Sequence, residues 1–146
     1  MKSTQKVTRL KLNIEQVDDY ILLGIVSAEP DYKISLSLNK KFRISLKNIS
    51  PVRLPGDDES QFSFSRFSNN DDSADLNIIL ISNRSGKNYL LKKLKNIDYL
   101  IQIQSSENDP NLNEITSSLR EIDSVTAVFN IDINTIKDKN LNYLTQ

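Results

Sequence analysis

The chain of 146 residues contains no cysteine and no histidine. Disulfide bonds, zinc sites of the cysteine and histidine type, thiolate nucleophiles and imidazole proton shuttles are therefore excluded. Glycine occurs only three times, at Gly24, Gly56 and Gly86. Because dinucleotide-binding loops and Walker phosphate loops need several closely spaced glycines, the sequence also excludes nucleotide enzymes of those two types.

The sequence also lacks an excess of charge and a long apolar run. Lysine and arginine together number 19 and are balanced by 19 acidic residues. This balance argues against nucleic-acid partners, because these are captured mainly by a basic excess. The longest apolar stretches, 21–26 and 78–81, fall far below the roughly 20 residues that a membrane span needs. Residues 1–8 lack the apolar core of a signal peptide, so we expect a cytoplasmic protein without a membrane partner.

Most apolar segments of the chain have the alternating or short continuous pattern of strands. The segment 20–27 is apolar almost throughout, so we expect it near the sheet centre. Pro51 interrupts the segment 42–54 and Pro55 directly follows it, which indicates a short edge piece. The other predicted strands are 7–14, 61–67, 76–82, 97–104 and 124–131.

One amphipathic helix is predicted between the last two of these strands. Asn108 or Asp109 is expected to cap it, with Pro110 at or near its first position. With its flanking strands the helix makes a strand–helix–strand unit over residues 97–131, which is similar to half of a ferredoxin-like domain. Its apolar stripe consists of Leu112, Ile115, Leu119 and Ile122.

Three segments have less decisive patterns. Residues 31–42 fit both a strand and a helix, and a capping residue at their start favours the helix. Residues 83–88 are predicted to form a turn with Gly86 at a positive φ, and residues 89–91 are the return arm of that hairpin. The tail, residues 132–146, is expected to dock loosely or to fray.

Together these elements predict an α+β fold in a single domain spanning residues 1–146. We expect a mainly antiparallel sheet of about six or seven strands, with one or two helices on one face. Val125, Ala127 and Phe129 are predicted to share one face of the last strand. The expected core residues are Leu23, Ile25, Ile79, Ile81, Leu100, Ile101, Leu112, Ile115, Leu119, Val125 and Phe129.

The run from Leu91 to Tyr99 follows the predicted hairpin and precedes an apolar strand. It resembles the signature region of the IPExxxVDY family, small bacterial proteins known mainly from Bacteroidetes. Ile97, Asp98 and Tyr99 match the Val-Asp-Tyr part, whereas Leu91-Lys92-Lys93 replace Ile-Pro-Glu and supply neither proline nor acid. The resemblance implies a fold and a lineage, and it brings no established activity.

Five residues in and near this run are the candidate binding residues. Asp98 and Tyr99 place a carboxylate and a phenol at a strand entrance, where they either meet a partner or ligand or satisfy the fold locally. Lys92 and Lys93 belong to a basic run that suits phosphate, and Tyr89 offers a stacking surface nearby. Such a run is also typical of a solvated surface, so both interpretations stay open.

No catalytic residue, metal site or cofactor is predicted. The acidic segments 57–59 and 71–75 lack the order of a calcium-binding loop, and no Gly-x-Ser-x-Gly elbow is present. The first hypothesis is therefore a non-enzymatic protein-interaction module that binds an unknown protein or a second copy of itself. A small-ligand binding or sensing domain is the alternative, and a carboxylate-dependent enzyme is a second alternative.

Overall fold

In a computed structural model of the chain, the described residues are 20–55, 61–69, 76–105 and 111–145. They form an antiparallel sheet of six strands with helices, so the predicted α+β fold is confirmed. No helix in the described ranges is long and apolar enough to cross a membrane. The predicted features that lie outside the described residues are the strand 7–14, the acidic segments 57–59 and 71–75, and the residues Asn108, Asp109 and Pro110.

The described chain contains eight strands, two α-helices and one 3₁₀ helix. In chain order the elements are β1 (Ile21–Val26), α1 (Asp31–Phe42), β2 (Lys47–Pro55), β3 (Gln61–Ser68), β4 (Leu76–Ser82), β5 (Arg84–Ser85), β6 (Asn88–Tyr89), β7 (Tyr99–Ser105), α2 (Leu112–Arg120), β8 (Ala127–Ile131) and a 3₁₀ helix (Lys139–Thr145). The main sheet has the order β2–β3–β4–β7–β1–β8. Within it every neighbouring pair is antiparallel, and β5 and β6 form a separate short hairpin.

The position of β1 differs from the prediction. β1 lies one place from the sheet edge, between β7 and β8, whereas its apolar run predicted a central strand. Because both neighbours are antiparallel to β1, β7 and β8 run parallel to each other and are separated by one strand. The run is apolar because β1 is covered on both faces, and double coverage does not require a central position.

Both faces of the sheet are covered. On the helical face, α1 and α2 pack with Leu23, Ile25, Leu80, Ile101 and their neighbours in one apolar cluster. On the opposite face, which we call the loop face, the sheet is covered by the segment 90–97 and the 3₁₀ helix and not by α-helices. The second cluster there includes Leu22, Phe64, Ile81, Leu90, Leu91, Ile97, Leu100 and Leu144.

The two helices begin and end at identifiable residues. Residues 31–42 are helical, and Arg43 ends α1 in the left-handed region with φ 56°. The cap of α2 is Asn111, whose side chain accepts a hydrogen bond from the Glu114 N–H at 3.1 Å. The predicted stripe is correct, since Ile115 and Leu119 are buried and its other two members pack against them.

The hairpin is shorter than predicted. Its ladder contains two pairs, Arg84 with Tyr89 and Ser85 with Asn88, and Gly86 has the expected positive φ of 61°. The predicted return arm does not continue through residues 90 and 91. Both leucines at these positions instead turn into the loop-face cluster, where they are fully buried.

The residues after position 131 pack closely on the loop face. Leu144 is 2% exposed in the second cluster. The Asn140 side-chain amide is buried and donates to the Leu90 carbonyl at 2.7 Å. The 3₁₀ helix is therefore held by both an apolar contact and a buried hydrogen bond.

Phe129 was expected in the core, and this prediction is wrong because 49% of the residue is exposed. It lies on the loop face of β8 and pairs with Gly24 of β1. Val125 precedes the strand and packs in the helical-face cluster, so it does not share a face with Phe129. Period-2 alternation applies only inside a strand, and here the strand begins at Ala127.

Gly24 lies where two isoleucine side chains approach the backbone of β1 closely. A Cβ atom at this position would lie 2.9 Å from the Ile97 Cδ1 atom and 3.0 Å from the Ile131 Cδ1 atom. We expect Gly24→Ala to lower the free energy of unfolding by about 1–2 kcal/mol, because both isoleucines must move in a packed cluster. Urea unfolding followed by circular dichroism measures this change.

The Ile97→Val background is the control for Gly24→Ala. Valine removes the Cδ1 atom that lies closest to the added methyl group. The alanine substitution should therefore cost less in that background than in the wild-type protein, which a double-mutant cycle detects as coupling. An equal cost in both backgrounds would contradict the steric explanation.

Candidate functional site

Asp98 and Tyr99 both hold the connection between β1 and α1. The Asp98 carboxylate accepts a hydrogen bond from the buried Ser27 N–H at 2.9 Å. The Tyr99 hydroxyl donates to the Glu29 carbonyl of the same connection. Asp98 also lies 3.2 Å from a guanidinium nitrogen of Arg84, on the short hairpin. The pair therefore satisfies backbone groups of a turn and links it to β7 and to the hairpin.

The surroundings of Tyr99 keep its hydroxyl protonated. The residue is 8% exposed and its ring packs in the helical-face cluster. Burial, followed by the nearby carboxylates of Asp31 and Asp98, raises the pKa of Tyr99 to about 12. The protonated hydroxyl is the form that can donate to Glu29, so the hydrogen bond persists throughout the neutral range.

This raised pKa predicts a loss of stability in strong alkali. Because the folded state binds the proton more tightly than the unfolded state, the Tyr99 contribution is complete below pH 10 and is lost as the pH rises towards 12. We expect the stability advantage of the wild-type protein over Tyr99→Phe to shrink by about 2–3 kcal/mol across this interval. Urea unfolding of both proteins at several pH values tests this, and a constant difference would contradict it.

Asn83 is the central polar residue on the loop face. It is fully buried, and its side-chain nitrogen donates to the carbonyls of Leu94 at 2.9 Å and Ile97 at 3.0 Å. Its side-chain oxygen accepts from the Leu91 N–H at 2.8 Å. Asn83 therefore fixes both ends of the segment 90–97, which carries the candidate binding residues Lys92 and Lys93.

The three other candidate residues lie on the segment 90–97 or directly before it. Lys92 and Lys93 are exposed on it, and Tyr89 is half-buried in β6 opposite Arg84. Only Lys93 lines a cavity that the described residues form beside β8, and the other four candidates do not. The structure thus brings Asp98 and Tyr99 together and leaves the basic residues outside their contacts.

The cavity next to β8, which we call the β8 groove, has a volume of about 450 Å³. Its apolar wall includes Ile97, Phe129 and Ile136, and its polar rim includes Lys93 and Asp132. The groove is bordered by residues 93–97 and by the C-terminal part of β8 with the turn that follows it. It can accommodate an apolar side chain or a small molecule.

A second hollow of about 460 Å³ borders the same C-terminal end of β8. Its lining includes Leu22 from the loop-face cluster and Leu112 from the edge of the helical-face cluster. Asn130, Ile131 and Asp132 line both hollows. The C-terminal end of β8 therefore lies between two concave surfaces.

The two edges of the sheet differ in chemistry. β2 contains Pro51 and Pro55, and its register with β3 shifts between Ile49 and Val52. Proline and bulges are the usual devices that block strand addition at an edge. β8, with the sequence AVFNI, contains no proline and no charge, and its outer edge pairs with no strand of the described chain.

Comparison with protein-family models, curated proteins and solved structures finds no significant match. The resemblance to the IPExxxVDY family stays a prediction. Among the described residues no group of three or more acidic side chains could hold a metal ion. Among the described residues that line the two hollows, the acidic residue is Asp132, which borders both.

Sequence reasoning missed Asn83 and the edge of β8 that pairs with no described strand. Asn83 was predicted as an ordinary turn residue, because asparagine after a strand is typical of a turn. Its burial depends on a segment that folds back over it. The sequence of β8 did contain a signal for this edge, because it has neither charge nor proline, the features that protect an edge strand.

Proposed function

We propose that this protein is a non-enzymatic, cytoplasmic protein-interaction module that takes up an extended polypeptide segment along the outer edge of β8. The observation that carries the proposal is the chemistry of this edge. Phe129 is half-exposed at the centre of a five-residue strand that has no charge and no proline. Exposed edges with these properties are templates for pairing with another chain.

The two hollows support strand addition in particular. When a strand is added to a sheet edge, main-chain hydrogen bonds supply affinity and pockets for alternate side chains supply specificity. The β8 groove offers an apolar wall with Phe129 and Ile97, and the second hollow lies around the end of the same strand. A bound strand would place successive side chains towards different sides of this edge.

Site-specific photo-cross-linking tests this function. Benzoylphenylalanine is introduced at position 127 or 129 of β8 in the cell of origin, and the adducts are mapped by mass spectrometry. We expect adducts with a polypeptide in which the contacts of the two positions are spaced two residues apart, because a paired strand has that period.

Position 49 is the matched control for this experiment. Ile49 is an apolar residue on the other edge strand and is 37% exposed, which makes it comparable to Phe129. No adduct at positions 127 and 129, or equal adducts at position 49, would overturn the proposed function. Either result would mean that β8 has no special capacity to bind a chain.

Binding of a small ligand is the second candidate, and the β8 groove is the observation that favours it. Lys93 and Asp132 stand at the rim of a cavity of about 450 Å³ that has an apolar wall. Sites for small molecules commonly combine apolar walls with a few polar groups. Native mass spectrometry should then show mass beyond a whole multiple of the 16.7 kDa chain, and this extra mass should disappear on denaturation. A native mass equal to a whole multiple of the chain mass would remove this candidate.

A further inference from the structure

We infer that the segment taken up by β8 is β8 of a second copy, paired antiparallel about a two-fold axis that passes next to Phe129. This inference rests on the proposed function and names its partner. It joins two six-stranded sheets into one continuous sheet across the dimer.

The sequence of β8 is complementary to itself in this register. Phe129 is the central residue of the strand, so an antiparallel copy centred there places the two Phe129 side chains directly opposite each other. Ala127 then faces Ile131 of the second copy, and Val128 faces Asn130 of the second copy. Opposed pairs on the Phe129 face are apolar, and no like charges meet anywhere along the strand.

The flanking residues and the overall charge agree with this pairing. Asp132, directly after the strand, faces Thr126 of the second copy in the same register. A homotypic antiparallel contact is disfavoured when charges of one sign oppose each other, and here a single acid meets a neutral side chain. The chain has no net charge, so two copies do not repel at a distance.

Among the described residues of one copy, Phe129 has no side-chain partner across the ladder. Its neighbour on β1 is Gly24, which has no side chain, and Ile97 occupies the space above that glycine. The outer side of the aromatic ring is therefore left to whatever pairs with the edge. A second Phe129 supplies an aromatic cross-strand pair, which is among the more stabilising pairs in sheets.

The other edge does not allow the same pairing. A two-fold contact of β2 with itself would be centred on Pro51, the middle of that strand. Proline has no N–H to donate, and the bulge between Ile49 and Val52 disturbs the register there. Self-pairing is therefore specific to β8.

The first test measures the mass of the purified full chain by sedimentation equilibrium. We expect twice the 16.7 kDa chain mass. Phe129→Lys places two ammonium groups opposite each other and should raise the dimer dissociation constant at least roughly tenfold. Ile49→Lys, an equivalent change on β2, should leave that constant unchanged. Both positions are exposed, so both variants should keep the wild-type circular dichroism spectrum.

The second test determines the register. Because the chain has no cysteine, Phe129→Cys and Ala127→Cys each carry a single thiol. Opposed residues of an antiparallel pair have Cβ atoms about 5 Å apart, close to the separation in a disulfide. The two 127 positions would lie about 14 Å apart along the same ladder. Mild oxidation should therefore link most of Phe129→Cys and little of Ala127→Cys.

The outcomes separate this inference from the function on which it rests. A monomer at every accessible concentration overturns self-pairing, and photo-adducts of other masses at position 129 would still support strand uptake. A dimer that survives Phe129→Lys, or that fails to link at position 129, shows that the copies meet elsewhere and overturns the inference. A monomer whose β8 amides resist hydrogen exchange would assign the edge to another segment of the same chain, which also overturns it.

Discussion

Replacing Asn83 with alanine is expected to lower the free energy of unfolding by about 3–5 kcal/mol. The substitution removes the Asn83 partner of the Leu91 N–H and of the Ile97 carbonyl, whereas the Leu94 carbonyl still accepts from the Ile97 N–H. The Leu91 and Ile97 groups are in the buried second cluster, where an unpaired backbone group costs about 1–3 kcal/mol. Urea unfolding followed by circular dichroism measures the loss, and failure to fold at 37 °C is the extreme form of the same result.

Asn69 is the matched control for Asn83. Its side chain also both accepts and donates, with the Ile78 N–H at 2.8 Å and the Leu76 carbonyl at 3.0 Å, but it is only partly buried. Because water can replace these bonds, Asn69→Ala should cost about 1 kcal/mol. Equal costs at the two positions would contradict the importance of burial at Asn83.

Asp98→Ala is expected to lower the free energy of unfolding by about 2–3 kcal/mol. The larger part comes from the buried Ser27 N–H, which loses its acceptor, the Asp98 carboxylate. The smaller part comes from Arg84, whose side chain is 49% exposed, so the ion pair contributes less than about 1 kcal/mol. Asp98→Asn keeps an oxygen that can accept from Ser27 and should fall between alanine and the wild-type protein.

The Asp98 series also distinguishes a structural role from a binding role. Arg84→Ala should be nearly neutral for stability, and the double variant with Asp98→Ala should show weak coupling. If Asp98→Ala unfolds at the wild-type urea concentration but abolishes the photo-adducts at position 129, then Asp98 contacts a partner and the structural role is contradicted. The same urea titrations and cross-linking experiments provide both measurements.

Local patterns predicted the elements of this fold better than their arrangement. The stripe of Ile115 and Leu119 defines α2 because every turn of a surface helix repeats the same exposure. The alternation in β7 similarly assigned Leu100 and Ile101 to opposite faces, and both are buried. These patterns depend only on residues a few positions apart, so they are visible in one sequence.

The sequence pattern could not predict which distant segments pack together in the fold. The insertion of β1 between β7 and β8 is decided by packing between segments far apart in the chain. Phe129 has the spacing of a core residue, but spacing does not reveal that its cross-strand neighbour on β1 is Gly24, which has no side chain. Asn83 is polar and follows a strand, and only the segment folded over it makes it buried.

For the candidate site too, local patterns were predicted and contacts between distant segments were not. The sequence run around Asp98 and Tyr99 drew attention to a pair that does make long-range contacts, with Ser27 and Glu29. Whether those contacts leave the pair free for a partner depends on geometry that no short motif encodes. The β8 groove was not predicted, because its lining comes from residues 93–97 and 129–136, which meet only in the folded chain.

The position of β1 also affects the order in which the protein can form during synthesis. Ile21 pairs with Ile103, and Leu22 pairs with Ile131, so both neighbours of β1 are translated long after it. Until residues near 105 have left the ribosome, the apolar segment of β1 can pair with neither β7 nor β8. Such distant pairings slow folding and expose the nascent chain to aggregation. Synthesis at a reduced temperature or with a holding chaperone should therefore increase the yield of native protein more than changes at its surface would.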